Sequence, residues 1–544
     1  MTRLPWALSA LAYLLVTRVM TSPLIDFVRL RNTSYESDSR LLIWTLAWDS
    51  HALLNGTALF DANMFYPQPG ALAWAEHHIG LGLFALPVYA LTHNPVYAYW
   101  VVWLLAFPLN ALAMQALAYR VTRDHVASFG AGLIYAFCFF RMHHAHAHVQ
   151  MLWTWALPLA LLALDRWVTR PTIAATAAVT GLVLLQALSG WYLAVMTALL
   201  LVPGALFLLP RRHLTLRHVT TGGVALLLAA GIVAWFAAPY THLPGNAAAE
   251  VVGNSADIAS YLVPPTNTWL GPWVATHAGY SPRWIWGEQT LYVGGVTFAL
   301  GLAGLLVWLR RTDRITAAVL AAGMIALALS FGPGAGHSPF DLFSSLPAMG
   351  LLRAPARLAL LVMLALALLA AIGAARLRAW APRAATVVLT VLALAGLGES
   401  FVISFPGGKP PVMKIPEIYL ELNRLPPGPV LSLPTYRFAL DNFHEADYLL
   451  FSTAHWNPIV NGFGRHEPPG HMERMAVLST FPAPAAVSLL QRIGVRYVVL
   501  HTGRASELRE AAKMAGERPA LKELARIGED VLISVMPVAS APPT

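Results

Sequence analysis

Two carboxylates in one predicted helix are the first residues that could carry chemistry. Asp38 and Asp49 lie eleven residues apart in SDSRLLIWTLAWDSHALL, so on a helix they share one face, three turns apart. Ser37 or Asp38 is suited to cap this helix. A carboxylate beside Trp44 and Trp48 at a lipid boundary would be partly desolvated, which raises its pKa and suits it to act as a general base. The structural alternative is that Asp38 caps the helix and Asp49 points to water. Both aspartates are candidates for the base.

Two more polar groups are candidate substrate-binding residues. Glu76, His77 and His78 follow the turn-rich stretch FDANMFYPQPGALAW, so turn chemistry and a polar helix cap are the structural alternative. Asp257 and Tyr261 lie in SADIASYLVPP, further along the chain.

A histidine-rich turn follows, with His143, His144, His146 and His148 just before Gln150. On a helix His144 and His148 share a face, as metal ligands at i and i+4 do, whereas on a strand His144, His146 and His148 do so. The spacing allows a divalent metal ion without requiring one. Hydrogen bonds to lipid phosphate or loop backbone are the alternative. We take His144, His148 and Gln150 as candidate substrate-binding residues.

Three charged residues lie beside later apolar runs. Glu288 immediately precedes one run, and Arg353 and Arg357 stand four residues apart where another begins. On a helix the two arginines would share a face, suited to bind a phosphate at the bilayer surface. Arginines that snorkel to the interface are the alternative.

Composition places these residues in a membrane protein. Of 544 residues, 57% are hydrophobic and 12% are charged, about half the charged fraction of a soluble domain. The net charge of +9 comes from short basic clusters between apolar runs, which is how topology signals are distributed, so no nucleic-acid partner is implied. The single cysteine, Cys138, excludes a disulfide framework. Walker A, GxSxG, HExxH and Rossmann signatures are missing, which disfavours ATP-driven transport.

Long apolar runs predict about eleven transmembrane helices. They cover residues 4 to 21, 95 to 119, 125 to 141, 150 to 167, 172 to 190, 192 to 209, 218 to 240, 290 to 309, 314 to 332, 357 to 376 and 383 to 405. The run 78 to 93 is short, and we interpret it as an interfacial or re-entrant helix.

The basic clusters fix the orientation of these spans. All of them lie on the cytoplasmic side only if the span number is odd and the N-terminus is inside. The first loop, 22 to 94, then faces outward together with 142 to 149, 241 to 289 and 333 to 356, and so does the chain after residue 405. Because the polar residues described above collect in these segments, the outer face is the predicted working face.

The chain after residue 405 changes pattern. A Pro/Gly-rich stretch is followed by helix-like IPEIYLELNRL, strand-like GPVLSLP, helix-like AAVSLLQRI, strand-like VRYVVLH, a charged helix over 505 to 526, and strand-like DVLISV. The fold class predicted is an α-helical polytopic membrane protein with a transmembrane domain over 1 to 405 and a soluble, extracytoplasmic α/β domain over 406 to 544.

This arrangement resembles the GT-C glycosyltransferases, and is closest to uncharacterised bacterial members. The resemblance covers the whole chain in architecture: a first span with its N-terminus inside, a long first external loop with an early acidic residue, a histidine-rich second loop and an outer C-terminal domain. Its recurring phrases are SDSRLLIWTLAWDSHAL, FDANMFYPQPGALAWAEH, HAHVQMLW, SADIASYLVPP, RAPARLALL and STAHWNPIVNG.

The resemblance implies a transferase in the cytoplasmic membrane. It would move a sugar, with inversion, from a polyprenyl-phosphate donor to a glycan, lipid or protein acceptor on the outer face. Asp38 matches the catalytic acid of the family's first loop, and Arg353 with Arg357 would hold the leaving phosphate. The family's adjacent acidic pair is absent, since serines flank Asp38, and this keeps Asp49 a candidate. A non-catalytic transporter or flippase-like protein for lipid-linked glycans is the alternative, but its spans should carry more charge.

The orientation generates a first prediction. Alkaline phosphatase fused to the C-terminus should be active in a bacterial host, because the fusion point lies outside the cytoplasm. A cytoplasmic reporter fused at the same point should be inactive, and the reverse pattern would contradict the assignment.

Overall fold

The computed structural model describes residues 4–22, 37–209, 214–277, 287–334, 337–346, 349–403, 415–436 and 444–537. The chain divides into two compact units. The helical unit comprises Met1–Leu30 and Trp100–Pro410, and the α/β unit comprises Arg31–Tyr99 and Pro411–Thr544. Most of the long first loop predicted over 22 to 94 thus belongs to the same unit as the C-terminal tail.

The helical unit is built from the long apolar runs, which become helices because only internal hydrogen bonding satisfies the backbone in lipid. Its longer helices are Leu4–Met20, Pro95–Thr122 (which begins in the α/β unit), His125–Ala136, Ala156–Thr169, Ile173–Ala187, Trp191–Leu208, Leu216–Ala237, Gly295–Trp308, Arg314–Ser330, Ala359–Trp380 and Pro382–Ser400. Short helices connect them: Phe139–His144, Val149–Leu152, Ala248–Gly253, Ile258–Leu262, Gly271–His277 and Pro339–Ser344, with 3₁₀ turns at Ala238–Tyr240, Met349–Leu351 and Pro355–Leu358.

Five helices of the described chain are long and apolar enough to cross a membrane. They are Pro95–Thr122, Trp191–Leu208, Leu216–Tyr240, Pro355–Trp380 and Pro382–Ser400. Shorter apolar helices cover Leu4–Met20, Ile79–Thr92, His125–Ala136, Ile173–Ala187, Gly295–Trp308 and Arg314–Ser330. Each predicted span overlaps a helix, although the run 125 to 141 breaks after Ala136 and the run 150 to 167 breaks after Leu152. The number of spans stays a prediction.

The helix Ala359–Trp380 is the centre of the helical unit. It packs against Gly295–Trp308, Arg314–Ser330 and His125–Ala136. Glycine permits the closest of these contacts, because a Cβ at Gly304 would lie 1.8 Å from the carbonyl oxygen of Leu369. Small residues allow helix backbones to approach in this way where no hydrophobic force drives them together.

The α/β unit joins the helices of the long first loop to a small sheet. Its helices are Ser37–Asn55, Ile79–Thr92, Glu417–Leu422, Glu445–Ser452, His471–Leu478, Pro484–Arg492 and Glu507–Gly516, with a 3₁₀ turn at Ala71–Trp74. Its strands are β1 (Val430–Leu433), β2 (Tyr497–His501), β3 (Leu521–Ile527) and β4 (Asp530–Val535). They lie in the order β1-β2-β4-β3, with β1 parallel to β2 and the other pairs antiparallel.

One predicted element of the tail is wrong. The charged helix expected over 505 to 526 ends at Gly516, and Leu521–Ile527 is a strand paired with β4. Pro519 explains the break, since proline lacks a backbone donor and disfavours helix in the residue before it. Gly528, at φ 59°, then forms the turn that returns the chain as β4.

Two of the recurring phrases pair with each other inside the α/β unit. The amide of Phe65 donates to the carbonyl of Asn461 at 3.0 Å, and the amide of Tyr66 donates to Ile459 at 2.9 Å. The Asn63 side chain adds hydrogen bonds to Ser452 and to the carbonyl of Asn457. FDANMFYP and STAHWNPIVNG are therefore structural partners, almost 400 residues apart.

Candidate functional site

A ring of contacts in the helical unit joins residues of two predicted external segments to Arg357, the first residue of a predicted span. Arg357 donates to both carboxylate oxygens of Glu288, from Nε to Oε2 at 3.0 Å and from Nη2 to Oε1 at 2.5 Å. Its Nη2 also donates to Nε2 of His148 at 3.2 Å. Nδ1 of His148 lies 3.2 Å from Nδ1 of His144, whose Nε2 faces Oε2 of Glu288 at 3.7 Å.

The arginine fixes the tautomers of both histidines. A guanidinium only donates hydrogen bonds, so Nε2 of His148 must accept and its proton must lie on Nδ1. Nδ1 of His144 then accepts that proton's hydrogen bond, which places the His144 proton on Nε2, facing Glu288. Both rings are therefore neutral, and burial accordingly holds the pKa of His144 well below its ordinary value.

The charges within this ring cancel. Arg357 is only 4% exposed and Glu288 9%. Burial alone would raise the pKa of Glu288, but Arg357, and then His144, hold it well below its usual range. One guanidinium thus meets one carboxylate between two neutral imidazoles. The guanidinium also lies over the ring of Tyr192, 5.0 Å from its centroid.

The two arginines are not on one helical face, so that expectation is wrong. Arg357 lies in the 3₁₀ turn Pro355–Leu358, whereas Arg353 lies before it in irregular backbone. Pro355 accounts for the difference, because the residue before a proline avoids the helical region. Arg353 has its own partner: its side chain is 29% exposed and lies 3.5 Å from Glu250.

The histidines do not form the three-residue metal site that their spacing allowed. Nδ1 of His146 contacts the carbonyl oxygen of His143, so His146 turns away from the pair made by His144 and His148. Across the described residues no group of three or more His, Cys, Asp or Glu side chains is arranged to hold a metal ion.

Of three other predicted residues, Asp257 and Tyr261 make contacts that hold the fold together. Asp257 caps the helix Ile258–Leu262 by accepting from the amide of Ser260 at 2.7 Å. The hydroxyl of Tyr261 lies 2.7 Å from that of Ser330. Gln150 is buried in the short helix Val149–Leu152. These contacts do not single out any of them as a substrate ligand.

In the α/β unit the two candidate bases have different surroundings. The helix Ser37–Asn55 starts at Ser37, so Asp38 lies in its first turn, and it is partly exposed. Asp49 is fully buried against the helix Ile79–Thr92. A Cβ added at Gly82 of that helix would lie 2.9 Å from the Cβ of Asp49. Within the described chain neither carboxylate oxygen of Asp49 has a hydrogen-bond partner.

Burial raises the pKa of Asp49 to about 8, although the nearby backbone amide of His78 lowers it in part. Asp49 is therefore largely protonated at neutral pH.

The neighbouring polar group Glu76, His77 and His78 precedes the same helix. His78 occupies the position before its first residue, and the amide of Ile79 donates to Nδ1 of His77 at 3.4 Å. Burial, and then His78, lowers the pKa of His77 to about 3. Glu76 is partly exposed. His77 and His78 thus match the helix-start alternative.

Sequence reasoning missed a buried ion pair in this unit. Nη1 of Arg40 lies 2.6 Å from Oδ1 of Asp447, and Nη2 of Arg504 lies 3.0 Å from its other oxygen. The one signal in the sequence was Arg40, a charged residue directly before the apolar residues LLIW of the predicted helix. Nothing in the sequence identified its partners.

The ring of contacts around Arg357 predicts strong energetic coupling between Arg357 and Glu288. Glu288→Gln should destabilise the protein by about 3–5 kcal/mol, because it leaves a buried guanidinium without its carboxylate. Arg357→Met should cost a similar amount, whereas the double variant should cost clearly less than the sum. Denaturant titration of the purified protein measures this cycle. The exposed pair Arg526 and Glu523 is the control, and additive losses at 288 and 357 would contradict the coupling.

Asp49 predicts a pH-dependent stability. Because folding raises its pKa from 3.8 to about 8, the folded state retains a proton that the unfolded chain has lost. This contribution is complete below pH 4 and disappears as the pH rises to 8. Melting temperatures at pH 5 and pH 8 should therefore differ more for the unaltered chain than for Asp49→Asn. Equal differences would show that Asp49 does not titrate as described.

The structure has solved neighbours, although no family profile and no curated protein matches the chain by sequence. The arabinofuranosyltransferase AftD from Mycobacteria superimposes with a TM-score of 0.61 at 18% identity, over 99% of this chain and 40% of that one. ArnT from Cupriavidus metallidurans in the apo state superimposes with a TM-score of 0.52 at 13% identity, over 97% of each chain. ArnT bound to undecaprenyl phosphate gives 0.52 at 13%, over 100% of each. The chain thus spans less than half the length of AftD but the full length of ArnT. Both neighbours are GT-C glycosyltransferases, and this chain has the GT-C fold of membrane glycosyltransferases.

Proposed function

We propose that this protein is a membrane glycosyltransferase that moves a sugar from a polyprenyl-phosphate donor to an acceptor on the outer face of the cytoplasmic membrane. The observation that carries the proposal is the likeness to ArnT along the whole chain, since one ArnT structure is bound to undecaprenyl phosphate. The apolar helices are long enough to cross a bilayer, which is where the lipid part of such a donor lies. The acceptor would be a hydroxyl of a glycan, lipid or protein.

The reaction needs one base and a cationic group for the phosphate. The acceptor oxygen attacks the anomeric carbon while its proton passes to a carboxylate. The bond between that carbon and the phosphate oxygen breaks, and polyprenyl phosphate leaves with the bonding electrons. A single displacement of this kind inverts the anomeric centre. Cations near the phosphate stabilise the negative charge that develops on it.

Asp38 is the better candidate for the base. A base must come within hydrogen-bond reach of the proton it removes. Asp38 is partly exposed in the first turn of its helix, where the helix dipole favours a negative charge. Asp49 is buried against Gly82 and holds a proton at neutral pH. We therefore assign Asp49 a structural role.

Arg353 is the better candidate to hold the phosphate. Arg357 is nearly buried and makes two hydrogen bonds to Glu288, so exchanging that carboxylate for a phosphate would be costly. Arg353 is more exposed and lies 3.5 Å from Glu250, so its exchange costs less. In this proposal Arg353 binds the phosphate, and Arg357 with Glu288 and His148 fixes the segment that carries it.

The assignment of the base predicts the behaviour of two variants. The purified protein is incubated with a panel of polyprenyl-phosphate sugars and candidate acceptors, and released polyprenyl phosphate is followed by mass spectrometry. Asp38→Asn should lower turnover by a factor of about 10² to 10⁴ while donor binding persists, because the amide keeps the size of the side chain but cannot accept the proton.

Asp49→Asn is the matched comparison on the same helix and should retain turnover. Loss of turnover in Asp49→Asn alone would move the base to Asp49. Normal turnover in both variants would refute a mechanism in which either carboxylate is the base, and no release from any donor would refute the proposed reaction.

A further inference from the structure

The helix Ser37–Asn55 has two faces with different partners, both within the α/β unit. Asp49 faces the helix Ile79–Thr92 through Gly82. On another side a stripe of residues follows the helical repeat: Arg40, Trp44, Trp48 and His51. This second stripe contacts the C-terminal segment, which is remote in sequence.

Aromatic contacts hold the last two residues of this stripe, Trp48 and His51. The ring of Trp456 stacks on His51 at 4.4 Å and lies 5.8 Å from Trp48. Trp456 has φ 53°, an uncommon conformation for a residue with a side chain, and its Nε1 donates to the hydroxyl of Tyr89 at 3.2 Å. A fixed Trp456 therefore holds the helix about three to four turns after its start.

A buried ion pair holds the first turns. Arg40 and Asp447 are 9% and 5% exposed, and their side chains meet at 2.6 Å. Asp447 also accepts from Arg504 at 3.0 Å, and the Arg504 guanidinium lies over the ring of Tyr448. Burial alone would raise the pKa of Asp447, but His444, Arg40 and Arg504 together lower it. The carboxylate is thus ionised between two guanidinium groups.

The ion pair between Arg40 and Asp447 lies on the opposite side of the helix from Asp38. Two residues correspond to about 200° of helical rotation, so Arg40 points away from Asp38 and one step further into the helix. Helix ends otherwise fray and open locally. An ion pair at Arg40 therefore restrains the first turn without covering Asp38.

We infer that Asp447 and Arg504 of the C-terminal segment are positioning residues, which act through Arg40 to hold the Asp38 carboxylate in place. A displacement of about 1 Å at a reacting group lowers turnover by about 100-fold. Precise positioning of Asp38 would therefore outweigh the desolvation cost of the buried ion pair. The kinetic consequence rests on the proposed function, whereas the ordering of the first turn does not.

A chemical test measures this ordering without any activity. Asp38→Cys is introduced together with Cys138→Ala, which removes the buried native thiol, and alkylation by a soluble maleimide is timed. Adding Arg40→Met should accelerate labelling about 10-fold, because the first turn frays. Asn55→Cys, at the far end of the same helix, should label at one rate in both backgrounds. Equal rates at position 38 would overturn the inference.

Steady-state kinetics test the same inference in the full-length chain. Arg40→Met and Asp447→Asn should lower kcat by about 10- to 100-fold with little change in KM for the donor, and Arg40→Lys should restore part of the loss. Arg526→Gln, from an exposed pair, is the control. Variants that melt earlier but retain kcat would show a purely structural role and overturn the inference. If the unaltered chain releases no polyprenyl phosphate, the proposed function fails, and the alkylation rates still decide the ordering.

Discussion

Arg357 is almost completely removed from solvent, and a buried guanidinium is costly unless a carboxylate or other hydrogen-bond acceptors compensate it. Glu288 supplies that carboxylate from the segment before Gly295–Trp308, and His148, in the histidine-rich turn, accepts a further hydrogen bond. Three connecting segments of the helical unit are therefore held by one charge. Because an arginine cannot accept a hydrogen bond, it also fixes which nitrogen of each histidine carries the proton, so the polar network has one arrangement of donors and acceptors.

The α/β unit depends on the same physical constraint with the charges reversed. Here one carboxylate, Asp447, lies between Arg40 and Arg504. Paired buried charges contribute little net stability compared with an apolar contact, but removing one partner is costly, so such pairs select one arrangement over others. This explains why the helix Ser37–Asn55 has an arginine at a position where a leucine would complete its apolar surface.

The parts of the fold that the sequence predicts are those set by local patterns. Apolar runs are sufficient to place the helices, and the four-residue spacing of His144 and His148 brings their rings together. Strand β3 was missed because LKELARI is equally compatible with a charged helix, and only its pairing with β4 decides between them. Arg40 and Asp447 are 407 residues apart, and no local pattern specifies such a partner. Arg353 and Arg357 fit a helical spacing, but Pro355 between them overrides it.

Asp38 and Asp49 show why position on a helix face cannot by itself assign chemistry. They are eleven residues apart and share a face, yet Asp49 is fully buried and Asp38 is partly exposed. At Asp49 a glycine lets the helix Ile79–Thr92 approach until the carboxyl group is enclosed, so its proton is retained to about pH 8. At Asp38 the helix has just begun, the side chain is partly exposed, and the helix dipole favours a negative charge in the first turn. One helix thus carries one enclosed carboxyl group that retains its proton at neutral pH and one that is partly exposed in its first turn. The displacement reaction proposed for this protein needs a carboxylate that can reach the acceptor's proton, and of these two carboxyl groups Asp38 is the more exposed.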